Sequence, residues 1–245
     1  MADPARRLAE VRAGIVSCTR CPRLRDYCAR IAQDKKAAHR DEIYWGKPVP
    51  GFGDPGARLL IVGLAPAAHG GNRTGRTFTG DGSGDFLMSA LHRTGFASIP
   101  TSRRADDGLA LRDAYILAAV RCAPPQNKPL PEEIARCRPH MAAEIAALTQ
   151  VRVVVALGKI GHDAYLAYLA DQGYVRRPRP AFAHGSRAAI ERGQGARLLL
   201  GSYHPSRQNT NTRKLTPEML ETVFREARRV IESPPEEDDG PAAAR

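Results

Sequence analysis

Four short apolar runs constrain this chain most: Leu59–Leu64 (LLIVGL), Tyr115–Val120 (YILAAV), Val151–Leu157 (VRVVVAL) and Leu198–Tyr203 (LLLGSY). None alternates apolar with polar residues. A strand that reads this way has both faces covered, which is the condition of parallel strands in an α/β sheet. A helix-compatible stretch follows each run. Asp85–Thr94 puts Phe86, Leu87, Ala90 and Leu91 on one face. Pro131 and the pair Glu132-Glu133 open a helix to about Thr149, with proline and acids where a helix start favours them. Gly161–Ala170 and Pro217–Ile231 complete the set. The expected fold is α/β: a central four-stranded parallel sheet sandwiched between helices, three layers deep, with no internal repeat. At 245 residues the chain can bury an ordinary core. The expectation is one domain over 1–232 and a disordered acidic tail over 233–245.

In sheets of this kind ligands sit beyond the carboxyl ends of the strands. Those ends read Leu64-Ala65-Pro66-Ala67-Ala68-His69, Arg121 to Lys128 (RCAPPQNK), Gly158-Lys159-Ile160-Gly161 and His204-Pro205-Ser206-Arg207. Three of the four are rich in Pro, Asn, His or Lys, which stiffen loops and supply hydrogen bonds. One site built from these loops is the natural expectation.

Charge suggests the partner. The chain has 37 Lys+Arg against 26 Asp+Glu, a formal +11. Five of the acids lie at 231–245, so residues 1–230 hold 36 bases and 21 acids, a net +15. A body this basic expects a polyanion, most often nucleic acid; the alternative is an Arg-rich composition that only keeps the protein soluble. No apolar run approaches the roughly 18 residues of a membrane span. The opening MADPARRLAE has no apolar secretory core. A cytoplasmic, monomeric protein is expected, with no membrane contact.

Cys18-Thr19-Arg20-Cys21 is a C-x2-C knuckle, and Cys122 and Cys137 lie far downstream, one just after a strand and one in the next helix. Four such thiols suit Zn²⁺ or an iron–sulfur cluster, while a bare C-x2-C also serves as a redox dithiol. Cys28 shares a helical face with Leu24, Tyr27 and Ile31 and reads as a buried small hydrophobe. The loop Gly70–Gly84 (GGNRTGRTFTGDGSG) lacks the G-K-[ST] of a phosphate-gripping NTPase. It holds Arg73, Arg76, Phe78 and Asp81. A Phe framed by glycines suits stacking on a flat base, or else plugs the loop onto the sheet. His204 is either a hydrogen-bond donor to a developing anion or a structural histidine. The polar run Arg207, Asn209, Asn211, Arg213 and Lys214 beside it favours phosphate contact.

GLAPAAHGGNRTGRTFTGDGSGDFL (Gly63–Leu87), RCAPPQNKP (Arg121–Pro129) and SYHPSRQNTNT (Ser202–Thr212) resemble the uracil-DNA glycosylase superfamily, and most closely its iron–sulfur branch, family 5. The resemblance runs from about Cys18 to Ile231. It implies an enzyme that hydrolyses the N-glycosidic bond of uracil, and of other deaminated or damaged bases, in DNA and leaves an abasic site. It implies a structural [4Fe–4S] cluster on Cys18, Cys21, Cys122 and Cys137. Other branches place an Asp, Asn or Glu in the first motif; here Ala65, Pro66 and Ala67 stand in that segment. The acid of this branch then falls on Asp81, with Asp85 expected as a cap or dipole partner of the following helix.

The implied roles are chemical. Double-stranded or single-stranded DNA is held by Ser206, Arg207, Lys128 and Arg73. The extruded base stacks on Phe78, and Asn127, with both donor and acceptor, pairs with its edge. His204 donates to the leaving base, and Asp81 stabilises the sugar cation or orients the water. The small Ala65 leaves room for lesions beyond uracil. Three rivals are weighed. A non-enzymatic four-cysteine zinc module that binds nucleic acid leaves Phe78, Asp81, Asn127 and His204 unexplained. An α/β hydrolase using His204 lacks a G-x-S-x-G elbow. An inactive or crosslinking relative would leave a covalent DNA adduct.

Overall fold

The computed structural model describes residues 3–174, 178–190 and 198–233. The expected acidic tail, apart from Ser233, lies outside the described residues.

Four strands form the middle of the sheet: β2 (Leu59–Gly63), β3 (Ala114–Ala118), β4 (Val153–Leu157) and β6 (Leu198–Ser202). All their residues are buried, and β3-β2-β4-β6 pair in parallel. The four apolar runs therefore fold as expected, each trimmed by one or two residues, with β3 starting one residue early. Successive side chains serve opposite faces of the pleat. Leu59, Ile61, Ile116, Val153, Val155, Leu198 and Leu200 share one core with Phe96, Leu220 and Phe224. Leu60, Val62, Tyr115, Leu117, Val154, Ala156 and Leu199 share the other with Met141, Tyr165 and Leu169. Two cores leave no polar face, so no alternation shows in the sequence.

Two strands lie outside the expectation. β1 (Phe52–Gly53) pairs antiparallel with β3, and β5 (Arg187–Ala189) pairs antiparallel with β6. The sheet is thus six-stranded and mixed, with order β1-β3-β2-β4-β6-β5. Both additions are edge strands of two or three residues, too short to carry a periodic signal.

Helices cover both faces: α4 (Gly82–Arg93) and α8 (Pro217–Glu232) pack together on one side, α5 (Pro131–Ala147) and α6 (Lys159–Asp171) on the other. Two helices precede the sheet, α1 (Pro4–Val16) and α2 (Pro22–Asp34), and α1 packs on α5. Helix α4 begins three residues before the expected start. Its cap is Asp81, whose Oδ1 accepts from the backbone N–H of Ser83 (2.9 Å) and Gly84 (3.0 Å). Asp85 sits in the first turn, suited to the helix dipole, and accepts from the Ser102 N–H at 3.0 Å. The capping role expected of Asp85 therefore belongs to Asp81. Among the described residues no helix is long and apolar enough to cross a membrane.

Candidate active site and cysteine pocket

The β2 loop carries the first part of the site. It contains one short helix, α3 (Gly71–Thr74), which the glycine-rich reading did not foresee. Phe78, with φ 48°, turns back onto the end of β2. A Cβ at Gly63 would lie 2.8 Å from the Phe78 ring, so only glycine admits the ring there. Phe78 also packs on the core and stacks on His204, with ring centroids 5.6 Å apart and planes 29° apart. The ring plugs the loop onto the sheet.

His204 arrives from the end of β6. Its carbonyl accepts from the Ser206 N–H and from Asn209 Nδ2, both at 2.8 Å, which pins the turn. Ser206 caps the short helix α7 (Arg207–Asn211), and Arg207 is exposed at its start. Gly158, at the end of β4 with φ 86°, leaves space for the His204 side chain; a Cβ there would stand 3.2 Å from that of His204. His204 keeps partial exposure, yet burial pulls its pKa down to about 4. At neutral pH the ring is uncharged, with one N–H to give.

Asp81 opens onto a cleft of about 940 Å³ whose lining includes Arg207, Asp85, Arg103, Arg104 and Ile43. Burial pushes its carboxyl above the usual range, against the two capping N–H groups, while Asp85 adds to the rise and Arg207 opposes it. Its second oxygen lies so close to Gly70 that a methyl group there would collide with it. Asn127 sits beyond β3, the sheet neighbour of β2. It is exposed, in a tight turn over Pro125–Asn127 in which Gln126 (φ 55°) and Asn127 (φ 57°) are left-handed. The loops after β2 and β6 thus meet through Phe78 and His204, and the topology puts Asn127 on the same rim.

Arg73 and Ala65 are placed otherwise than expected, and Arg76 of the same loop turns inward with Arg73. Arg73 is not a free phosphate contact: it is buried, bonds the carbonyls of His69 and Gly80, and pairs with Glu42. Arg76 is likewise internal, tied to Asp107, Ser102 and Thr79. Ala65 packs toward the cysteines, against the cluster of Leu24, Cys28, Val120 and Cys122. Pro66 and Ala67 support the loop; the Ala67 carbonyl accepts from Gly70 (3.2 Å) and Asn72 (3.0 Å). Sequence reading missed Tyr44, a buried residue whose hydroxyl lies 3.0 Å from His69 Nδ1. The signal was its basic, aromatic surroundings, KKAAHRDEIYWGK over 35–47.

Cys18, Cys21, Cys122 and Cys137 line a single pocket with Arg20, Arg25, Arg121, Arg136 and His140. Cys21 is the residue before α2, Cys137 is buried in α5, and Cys122 follows β3. The Arg121 N–H points at Cys137 Sγ, 3.3 Å away. Burial pushes the Cys137 thiol up to about 11, and the nearby Arg121 opposes it. Burial also raises the Cys21 thiol, and four arginines stand round the pocket; a positively charged metal group would deprotonate thiols in such a setting. Cys28 is fully buried, as expected, and lies against Cys122; that contact and burial raise the Cys122 thiol. Among the described residues no three His, Cys, Asp or Glu side chains are grouped closely enough to hold one metal ion.

Known proteins resemble this chain over most of its length. The family model of the uracil DNA glycosylase superfamily matches residues 50–228. A Type-5 uracil-DNA glycosylase of Thermus thermophilus is 49% identical over 216 residues, covering 88% of this chain and 94% of its own. One from Mycobacterium bovis is 47% identical over 231 residues, covering 94% and 84%. One from Pyrobaculum aerophilum is 44% identical over 213 residues, covering 87% and 88%.

Proposed function

The chain belongs to the uracil DNA glycosylase superfamily, and from that premise we propose that it excises uracil from DNA as a monofunctional, monomeric glycosylase. The observation that carries the reading is the Phe78–His204 stack at the carboxyl rim of the sheet; Asp81 opens onto a cleft that Arg207, three residues after His204, also lines.

A base inside a duplex cannot be attacked at its sugar bond, so the nucleotide must swing out. Arg207 and Lys128 are exposed and hold phosphates without reading sequence. The base lies near the Phe78 ring, with Asn127 on its polar edge. As the glycosidic bond lengthens, the base gains negative charge and the sugar positive charge. Neutral His204 gives its N–H to the base oxygen, a donor fixed before the reaction begins. Ionised Asp81 either faces the sugar cation or orients the water that ends the reaction. Its raised pKa makes the carboxylate less comfortable alone and more responsive to a neighbouring cation.

The four cysteines would hold a [4Fe–4S] cluster. Its contribution is structural: thiolate bonds that join the α1–α2 segment to β3 and α5. The four thiols line one pocket, and an all-cysteine donor set is the one that iron–sulfur clusters use. The non-enzymatic zinc module is not favoured, because it gives the Phe78–His204–Asp81 arrangement no purpose.

The test is alkaline cleavage of a duplex with one central uracil. The wild type should create an alkali-labile site at uracil and none in the thymine control. An intact strand after long incubation would reject the proposal.

A further inference from the structure

The wall of the cysteine pocket holds buried polar atoms that bond to nothing. Arg25 Nη1, His140 Nε2 and the Nε, Nη1 and Nη2 atoms of Arg121 are shut from solvent without a hydrogen-bond partner. They are five of the ten such side-chain atoms among the described residues, gathered in the lining of one pocket. Buried donors are normally paired, so this concentration points to an acceptor that the pocket takes. Four of the five are guanidinium nitrogens, which only donate, so that acceptor is anionic.

The arginines are not equivalent. Arg20 and Arg136 are exposed, and water and salt screen their charge. Arg121 is 1% exposed, but Glu144 stands 2.5 Å from its Nη2 and offsets its charge. Arg25 is half-buried and has no acidic partner among the described residues. Its Nη2 donates to the Gly46 carbonyl at 3.0 Å, which fixes the head of the side chain. Gly46 is itself anchored, because its N–H donates to the Asn72 carbonyl at 3.0 Å. Arg25 is close enough to Cys122 for its charge to bear on that thiol. With Cys18 it also lines an open groove of about 690 Å³, so these two residues stand between the pocket and solvent.

Four thiolates outweigh the charge of an iron–sulfur core, so a loaded centre is an anion, and a buried anion needs a paired cation. We propose that Arg25 is that cation: its unshared charge and free N–H balance the loaded cysteine centre. The inference rests on the four-cysteine cluster reading. Arg25 is a positioning residue; it ligates no metal and touches no reacting atom.

The experiment compares purified wild type, Arg25→Met, Arg25→Lys and Arg20→Met. It reads iron content, reduction potential by spectroelectrochemistry, and bleaching of the visible band by ferricyanide with EDTA. Net charge and hydrogen bonds to the sulfurs set the potential of such centres. Arg25→Met should lower the potential and bleach about ten- to a hundredfold faster, the factor for losing one hydrogen bond to a charged group. Arg25→Lys, which keeps the charge but not the fork, should fall between the two. Arg20→Met should match wild type. Where Arg25→Met holds no iron, the potential of Arg25→Lys decides, and a wild-type value overturns the proposal. Wild-type potential and bleaching in Arg25→Met, or an equal shift in Arg20→Met, would likewise overturn it and leave the cluster standing. A wild type without iron would remove the cluster itself.

Discussion

Asp81 has two jobs that one substitution can separate. Its Oδ1 takes both N–H groups of the first turn of α4, and its Oδ2 stands against Gly70 at the site. Alanine removes both jobs. Asparagine keeps the cap, since Asn caps as well as Asp, and removes only the charge. Losing the cap costs about 1 kcal/mol, and for a chain of this size that lowers Tm by about 2–4 °C. The carboxyl pKa is raised in the fold, so the ionised form opposes folding at neutral pH. Asp81→Asn should therefore melt at or above the wild-type temperature at pH 7, while Asp81→Ala melts below it. Both should lose about 10²–10⁴-fold in single-turnover excision, the range for a positioned acid–base or electrostatic group. Differential scanning calorimetry and alkaline strand cleavage read the two effects apart. An Asp81→Asn enzyme as active as wild type would reduce Asp81 to a cap and refute its chemical role.

Further outcomes follow from the same geometry. The pKa of His204, lowered to about 4 from an ordinary 6.5, makes the folded state bind its proton less readily than the unfolded one. Stability from this group is complete above pH 6.5 and is lost as pH falls toward 4, by at most about 3 kcal/mol; thermal melts from pH 7 to 4 should show a flatter slope for His204→Gln. Gly70→Ala, which places a methyl against Asp81, should cut excision without loss of DNA affinity in a binding titration. Glu144 is 1% exposed, pairs with Arg121 and accepts from Gly51 N–H and the Tyr115 hydroxyl. Glu144→Gln leaves the Arg121 cation buried without its counter-charge, so about 3–5 kcal/mol of stability should go, read from a urea curve. Cys137→Ser should abolish the brown colour and iron content of the purified protein; a colourless wild type with one zinc would contradict the cluster.

The parallel sheet was legible because β2, β3, β4 and β6 are buried on both faces, and such strands announce themselves as unbroken apolar runs. β1 and β5 were not, because the neighbouring strand fixes an edge segment of two or three residues. The meeting of the β2 and β6 loops through Phe78 and His204 fits the strand order, whereas the role given to Asp81 came from the family resemblance and not from chain order. What charge could not tell was which arginines face outward. Arg73 and Arg76 look in sequence like any phosphate partner, yet Glu42, Asp107 and two carbonyls draw them inside. Asp81 was read as an acid for catalysis and Asp85 as a cap or dipole partner; Asp85 does sit in the first turn, but Asp81 takes the cap, because the start of α4 is set by glycines that carry no periodic signal.

In the proposed reaction the Phe78–His204 pair grips an extruded base and steadies its negative charge. Single-turnover excision of uracil by His204→Ala and Phe78→Ala, with DNA affinity measured beside it, tests this most directly. The expected result is a loss of about 10²–10³-fold in rate for His204→Ala, a smaller loss for Phe78→Ala, and abasic-DNA affinity largely kept. Wild-type rates in both variants would contradict it.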